Sequence, residues 1–236
     1  MKKIVLMLLC SFLTIGIYAQ SLVGAWEHLT TSEDGRKVRS LAIFADSYQS
    51  LTTYDAATGA FIHSQGGSWT LDGDVLTEKL EFHTTNPDLV GTEGISKVVI
   101  TDNIMEVLDK DVKFYRIDSG RPGELQGAWL MSGRVVDGKT QVRDTSGPRK
   151  NMKILSGTRF QWIAYNTETK QFMGTGGGTY TTIDGEYTEN IEFFSRDNSR
   201  VGQSLNFNYE LIDKNWHHSG LSSKGDPIHE IWSIRE

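Results

Sequence analysis

Alternation of apolar and polar residues is the main structural signal in this chain. Residues 187–193 and 205–211 alternate between large apolar and polar side chains, with Glu189 standing at an apolar position of the first segment. A period of two places successive side chains on opposite faces of a β-strand. Turn-forming clusters separate such segments at 72–74, 137–139, 184–186 and 222–226. The pattern predicts an all-β chain of short strands joined by tight turns.

The pattern occurs twice. Leu22-Val-Gly-Ala-Trp26 recurs as Leu125-Gln-Gly-Ala-Trp129, and Gly66-Gly-Ser-Trp69 recurs as Gly177-Gly-Thr-Tyr180 at an offset of 111. The opening motif has an offset of only 103, so about eight additional residues are expected in the second copy, in the loop 143–152. The predicted organisation consists of a signal peptide at 1–20, a first, degenerate repeat at 21–118, a linker at 119–123 and a second repeat at 124–236.

Each copy is long enough for a closed sheet. The second copy has eight predicted strands, at 126–136, 150–155, 158–166, 172–182, 186–195, 202–212, 215–220 and 229–235. Eight short strands joined by tight turns favour an up-and-down meander that closes into a barrel, because closure removes exposed edges. The fold prediction is two tandem eight-stranded antiparallel barrels, with a sandwich as the alternative.

The first twenty residues have the composition of an export signal. Lys2 and Lys3 precede an apolar run over 4–17, and Ala19 supplies a small residue for cleavage before Gln20. This order is typical of a secretory signal peptide. Its apolar core is shorter than a membrane-spanning helix needs, so a signal peptide is the preferred interpretation. We therefore expect a periplasmic or extracellular protein. Cys10 is the only cysteine, so the processed chain would fold without a disulfide.

Charge and motifs exclude several function classes. The formal charge of −6 and the lack of a basic stripe argue against nucleic acid as a partner. The densest positive group surrounds Gly147-Pro148 and is expected in a solvated loop; it consists of Arg143, Arg149, Lys150 and Lys153. No serine-nucleophile motif occurs, and no Lys-Ser or Lys-Thr follows the glycine run 174–178. Those glycines are expected to let a strand bend or pass close to its neighbour.

The Gly-x-Trp openings and the eight-strand meander resemble the lipocalin-like (calycin) barrels. The second copy is similar to a group of small secreted bacterial lipocalin-like domains of largely unknown function. The segments that carry this resemblance are 158–165, 176–180, 187–192, 216–220 and 230–232, and Arg159 stands where that group usually has His. The resemblance implies a barrel with one open end and an inner cavity, and it implies no particular reaction. Trp26 and Trp129 are expected to plug the closed ends.

Glu189 is the leading polar candidate for the barrel interior. It shares a strand face with Tyr187 and Ile191, whereas Glu192 is expected to face solvent. Burying a carboxylate costs several kcal/mol unless it is hydrogen-bonded or paired. Glu189 is therefore expected either to bond a neighbouring Tyr or Trp or to contact a ligand. Glu78 holds the matching place in the first copy and favours the structural alternative.

His217 and His218 lie on opposite strand faces, so they cannot ligate one metal ion together. A grouping of His218 with His229 and Glu230 has no ligand-spacing motif, so no metal site is predicted. Large rings on four strands either fill the core or line a cavity. The candidate ligand-binding residues are Trp162, Tyr180, Glu189, Trp216, His218 and Trp232.

A comparison of the copies suggests different contents for the two barrels. The first copy has Leu51, Trp69, Met105, Tyr115 and Val107 where the second has Trp162, Tyr180, Trp216, Trp232 and His218. We expect the first barrel to be filled by its own side chains and the second to bind a small apolar or amphipathic molecule. The alternatives are a structural or protein-interaction module with filled barrels, and an enzyme that uses Glu189 or His218 as acid or base. Nothing in the pattern predicts a cofactor or a particular oligomeric state.

Overall fold

The computed structural model describes residues 21–121, 123–222 and 224–236, so the predicted signal peptide lies outside the described residues. Eight strands form the first sheet: β1 (Gly24–Thr31), β2 (Lys37–Phe44), β3 (Tyr48–Asp55), β4 (Phe61–Asp72), β5 (Val75–His83), β6 (Glu93–Ile100), β7 (Ile104–Val107) and β8 (Val112–Asp118). Each strand pairs antiparallel with the next, and β8 returns to β1, where Arg116 lies opposite Trp26. The first sheet is therefore a closed barrel.

The second sheet repeats this circuit with one additional strand. Its strands are β9 (Gly127–Val136), β10 (Lys139–Val142), β11 (Arg149–Leu155), β12 (Arg159–Asn166), β13 (Phe172–Ile183), β14 (Glu186–Phe194), β15 (Ser204–Ile212), β16 (Asn215–Leu221) and β17 (Pro227–Ile234). β17 closes the barrel on β9, and β10 pairs only with the outer end of β9. The prediction of two tandem eight-stranded antiparallel barrels is confirmed, and the sandwich alternative is wrong.

Two details of the sequence prediction need correction. The additional residues of the second copy lie between β9 and β11, but part of them forms β10. Arg149, Lys150 and Lys153 belong to β11, which confirms the predicted strand 150–155 for the two lysines and makes the solvated-loop interpretation of this positive group wrong for all three. Short 3-10 turns occur at Pro87–Leu89, Leu108–Lys110 and Asn198–Arg200. No helix among the described residues is long and apolar enough to cross a membrane.

The two opening tryptophans make the same contact in each copy. The indole Nε1 of Trp26 donates to the carbonyl of Leu22 at 2.9 Å, and that of Trp129 donates to Leu125 at 2.8 Å. Both rings are buried. The guanidinium carbon of Arg116 lies 3.9 Å from the centroid of the Trp26 ring, an attractive cation–π arrangement.

Glycines allow a bulge where β13 meets β14 and where β4 meets β5. The register shifts between Gly177 and Gly178, and likewise between Gly66 and Gly67. A Cβ atom on Gly178 would lie 2.0 Å from the carbonyl oxygen of Asn190, which no side chain tolerates. The glycine run therefore provides a close approach between two strands.

The barrels share a core that follows an approximate two-fold arrangement. Phe61 stacks on its counterpart Phe172 with ring centroids 6.3 Å apart and an interplanar angle of 4°. Tyr54 packs on Phe193 at 4.9 Å, and the reciprocal contact joins Phe82 and Tyr165 at 5.1 Å. These residues, together with buried aliphatic side chains from both barrels, belong to one apolar cluster.

Polar contacts across the interface repeat in the same reciprocal manner. The hydroxyl of Tyr54 donates to Glu192 at 2.7 Å, and the hydroxyl of Tyr165 donates to Glu81 at 2.6 Å. Arg39 of the first barrel pairs with Glu192 at 3.3 Å, and Arg235 of the second barrel pairs with Glu81 at 2.8 Å. Glu192 is thus half-buried between the barrels rather than facing solvent as expected. Arg159 pairs with Glu192 at 2.6 Å within the second barrel and is not among the residues that line its cavity.

Asp118 joins the end of β8 to the second barrel. Its carboxylate accepts hydrogen bonds from the Ser156 hydroxyl at 2.9 Å, the Gly157 amide at 3.1 Å and the Thr158 hydroxyl at 2.6 Å. Burial opposes its ionisation, but these bonds and one from the Gly120 amide outweigh that effect and lower the pKa of Asp118. The chain between the barrels is consequently anchored at its first residue.

Candidate functional site

A cavity of about 280 Å³ lies inside the second barrel. Its apolar wall consists of Phe160, Trp162, Ile191, Phe194, Leu205, Phe207 and Ile228. Its polar groups come from Asn151, Lys153, Glu189, Arg200, Gln203, Ser222 and Glu230. Arg200, Gln203 and Ser222 lie in the connections after β14 and β16, so the cavity reaches the barrel end that these loops surround. Apolar walls with a few convergent polar groups are typical of small-molecule sites, although this volume is near the small end of their range.

The six candidate residues divide into two groups. Trp162 and Glu189 line the cavity. The other four are packed in the core cluster beside or below it and are almost inaccessible: Tyr180, Trp216, His218 and Trp232. The structure therefore brings all six into one barrel interior but places only two on the cavity wall.

Lys153 is the functional residue that the sequence interpretation missed. Its ammonium Nζ lies 2.7 Å from Oε1 of Glu189, and the two side chains are only 5% and 8% exposed. On β11, Lys153 alternates with Met152 and Ile154, which are buried against the first barrel. This alternation in the sequence could have identified Lys153 as an interior residue. A lysine between two residues that face the first barrel must point to the opposite, inner face of the strand.

Aromatic rings surround the buried ammonium group of Lys153. Its Nζ lies 4.8 Å from the ring centroid of Trp216, 5.0 Å from that of Tyr187 and 5.4 Å from that of Trp232. Ring faces attract a cation, and the attraction is stronger in a desolvated site. The rings expected to line a ligand site thus stabilise an internal cation.

Glu189 is bonded by two groups of its own barrel. Besides Lys153, the Tyr187 hydroxyl donates to Oε1 of Glu189 at 2.9 Å. Burial and then the charge of Glu189 raise the pKa of Tyr187 well above its usual value, so the phenol stays protonated and remains a donor. The hydrogen bond that was expected between Glu189 and a neighbouring Tyr or Trp is therefore present, with Tyr187 as the donor, and Lys153 adds an ion pair to it.

His218 forms a second buried polar pair. Its Nδ1 lies 3.3 Å from Oε2 of Glu230, which also accepts from the Trp232 indole at 3.2 Å. Burial and the nearby Lys153 lower the pKa of His218, so the ring is neutral near pH 7. Burial opposes ionisation of Glu230, but its bond from His218 and the charge of Lys153 lower its pKa. Glu230 thus presents an anionic group to the cavity.

The three histidines of this region do not converge. His217 lies on the other face of β16, where its Nδ1 is 3.1 Å from Nε2 of His229. His218 and Glu230 are therefore separated from His229 by the sheet. Among the described residues, no group of three or more His, Cys, Asp or Glu side chains has the geometry of a metal site.

Tyr180 has a structural contact with the turn between β11 and β12. Its hydroxyl donates to the carbonyl of Ser156 at 2.6 Å, in the turn between β11 and β12. In the first barrel, Trp69 makes the matching bond from its indole to the carbonyl of Ala45 at 2.9 Å. Because both copies keep this bond with different side chains, we interpret it as a structural bond that stabilises the turn and not as a ligand contact.

The first barrel also encloses a cavity. Its volume is about 250 Å³, and Leu51, Met105 and Val107 are among its lining residues. The expectation that the first barrel is filled by its own side chains is therefore wrong. The strand register also places Phe114, not the exposed Tyr115, at the position of Trp232, since Met105 pairs with Phe114 as Trp216 pairs with Trp232.

Fold and cavities define a tandem pair of eight-stranded antiparallel barrels with hollow, largely apolar interiors. Residues 124–234 match the family model described as a domain of unknown function (DUF4488). The matched residues span the second barrel. No curated protein sequence matches the chain.

Proposed function

We propose that the second barrel binds a small apolar or amphipathic molecule. The observation that supports this proposal is the cavity of about 280 Å³, whose apolar and aromatic wall carries a few polar groups. The apolar part of the ligand would lie against Phe160, Trp162 and Phe194. A polar end would meet Asn151 and Gln203 towards the loops.

The charged residues around the cavity favour a ligand whose inner end carries no charge. Lys153 and Glu189 neutralise each other, and the aromatic rings already surround the ammonium group. A charged ligand group placed beside Lys153 and Glu189 would lose its hydration next to groups that are already paired, and Glu230 is engaged by His218 and Trp232, so its burial there is costly. The inner end of the ligand is therefore proposed to be apolar.

The two alternative functions have less support. The structural alternative was based on filled barrels, and both barrels enclose a cavity. For an enzyme, Glu189 or His218 would have to act on a substrate in the cavity. Glu189 is engaged by Lys153 and Tyr187, and His218 is engaged by Glu230, so the two groups are held in separate pairs.

We also propose that the protein acts after export, in the periplasm or outside the cell. The support is the amino-terminal sequence, with its two lysines, apolar run and Ala19. The acidic balance of the chain agrees with a soluble binding module that has no nucleic-acid partner.

Tryptophan fluorescence of the processed chain tests the binding proposal. Trp162 lines the cavity, so saturable quenching is expected with 1-octanol, octanoic acid or cyclohexanol and not with glucose. Trp162→Phe should remove the signal. Ile228→Phe should weaken binding by occupying the cavity, whereas Ile183→Phe, at a strand position that is 63% exposed, should leave it unchanged. A flat response to all three apolar probes would overturn the proposal, as would quenching that Trp162→Phe and Ile228→Phe leave intact.

A further inference from the structure

The first barrel keeps the inner carboxyl group of the second barrel but lacks both of its partners. Glu78 lies opposite Trp69 as Glu189 lies opposite Tyr180. At the position of Lys153 the first barrel has Ala42, which pairs with Trp26 as Lys153 pairs with Trp129. At the position of Tyr187 it has Leu76. A small side chain thus stands where the second barrel has its buried ammonium group.

Glu78 faces the first cavity without a bonding partner in the described part of the chain. It is half-buried and lines the cavity, and its carboxyl group has neither a hydrogen bond nor an ion pair there. Burial raises its pKa, and the positive charge of Lys110, which also lines the cavity, opposes this without cancelling it. A carboxyl group in this setting gains stability from any cation that enters the cavity.

A second polar side chain in the same cavity also lacks a partner. Gln49 is only 1% exposed, lines the cavity and has an amide nitrogen Nε2 with no hydrogen-bond acceptor among the described residues. Buried amide groups almost always have a partner, so an isolated one on a cavity wall indicates a contact that a bound molecule supplies. Gln49 and Glu78 together offer a donor and a carboxyl group in one cavity.

The rest of the cavity wall is mostly apolar, and its other polar residues are His28, Ser40, Gln65, Ser96 and Lys110. Its volume of about 250 Å³ is bounded by Ala42, Phe44, Leu51, Leu76, Met105, Val107, Val112 and Phe114. Alkyl or aryl groups lose little by entering such a space and gain from leaving water. The wall therefore suits a molecule with one charged end and a hydrocarbon remainder.

We propose that the first barrel binds a small amphipathic amine, whose ammonium group pairs with Glu78 in the space that the Lys153 ammonium occupies in the second barrel. The hydrocarbon part of the amine lies against Leu51, Met105 and Val107. Gln49 donates to a hydroxyl or carbonyl oxygen where the amine carries one. The two barrels thereby differ in ligand class, because Glu189 is paired with Lys153 of its own barrel whereas Glu78 pairs with the ammonium group of the ligand.

Titration calorimetry of the processed full-length Ile228→Phe variant, in which the second cavity is occupied, with hexylamine and 1-hexanol tests this assignment. The two probes share a hydrocarbon chain and differ in charge, so hexylamine is expected to bind at least about tenfold more tightly, as a charge-assisted contact implies. Glu78→Gln removes the charge with little change of shape and should weaken hexylamine binding by at least about tenfold. Glu106→Gln, which alters a carboxylate in an exposed pair with Lys113, should leave it unchanged.

Introducing into the first barrel the lysine that only the second barrel has at this position provides the complementary test. Ala42→Lys installs the ammonium group found in the second barrel and should abolish hexylamine binding, with folding checked by circular dichroism. Should that variant fail to fold, Glu78→Gln alone decides. Equal affinity for both probes, no hexylamine binding up to about 1 mM, or full binding by Glu78→Gln would each overturn the proposal. Ile228→Phe separates it from the second barrel: hexylamine binding should persist in this variant, and its loss there would also overturn the assignment.

Discussion

The buried pair of Lys153 and Glu189 leads to a quantitative prediction of stability. Lys153→Met keeps the length and apolar stem of the side chain but removes its charge. The carboxylate of Glu189, 8% exposed, then remains in the barrel interior with only the Tyr187 hydroxyl as a donor. Breaking a buried pair in this way costs roughly 3–5 kcal/mol, because an uncompensated charge is left behind. For a chain of this size, each kcal/mol lowers Tm by about 2–4 °C, so a decrease of roughly 6–20 °C is expected.

Thermal unfolding followed by circular dichroism, with a double-mutant cycle, measures this effect. The double variant Lys153→Met/Glu189→Gln removes both charges and keeps an acceptor for Tyr187, so it should recover most of the lost stability. Lys113→Met is the matched control, because its pair with Glu106 is 49% and 30% exposed and exposed pairs contribute only about 0–1 kcal/mol. The reasoning is refuted if Lys153→Met is as mild as Lys113→Met, or if the effects of the two buried substitutions simply add.

Two further predictions concern the linker anchor and the strand bulge. The pKa of Asp118 is lowered in the folded chain, so its ionised form stabilises the fold above about pH 4, the unfolded value, and this contribution is lost as the pH falls through the folded pKa. In urea unfolding, Asp118→Asn should therefore be clearly less stable than the wild type at pH 7 and approach it at pH 3; a constant difference would contradict the assignment. Gly178→Ala places a Cβ 2.0 Å from the carbonyl oxygen of Asn190 and should cost more than about 1–3 kcal/mol, the usual cost of overpacking. Gly94→Ala, whose Cβ would meet nothing within 4 Å, is the control, and equal urea midpoints for the two alanine variants would refute the steric argument.

The repeat that was visible in the sequence turns out to mark the contacts between the barrels. Tyr54 and Phe61 lie 111 positions before Tyr165 and Phe172, the same offset as that of the Gly-Gly segments. These four residues make reciprocal contacts in the two-fold interface. The sequence showed that these positions are alike. It did not show that they meet, because the offset says nothing about which face of one barrel is turned towards the other.

The missed residue, Lys153, shows a different limit of sequence reasoning. The positive group around Gly147 and Pro148 indicated a solvated position for Lys153, although the predicted strand 150–155 contains it between Met152 and Ile154. Its partner Glu189 lies 36 positions further along the chain. No short-range pattern connects the two residues, and only the closure of the sheet brings them together across the barrel.

The sequence alone determined the all-β class, the tandem copies and the approximate strand positions, because alternation and turn formers act over a few neighbouring residues. The tertiary structure decided which inner positions reach a cavity and which are packed beneath it. Trp162 lines the second cavity whereas Trp216, an equally large ring on an inner face, is completely buried. The space left inside a barrel depends on the combined volume of the inward-facing side chains that all eight strands contribute at each height along the barrel axis. That combined volume is a property of the closed sheet and not of any one segment.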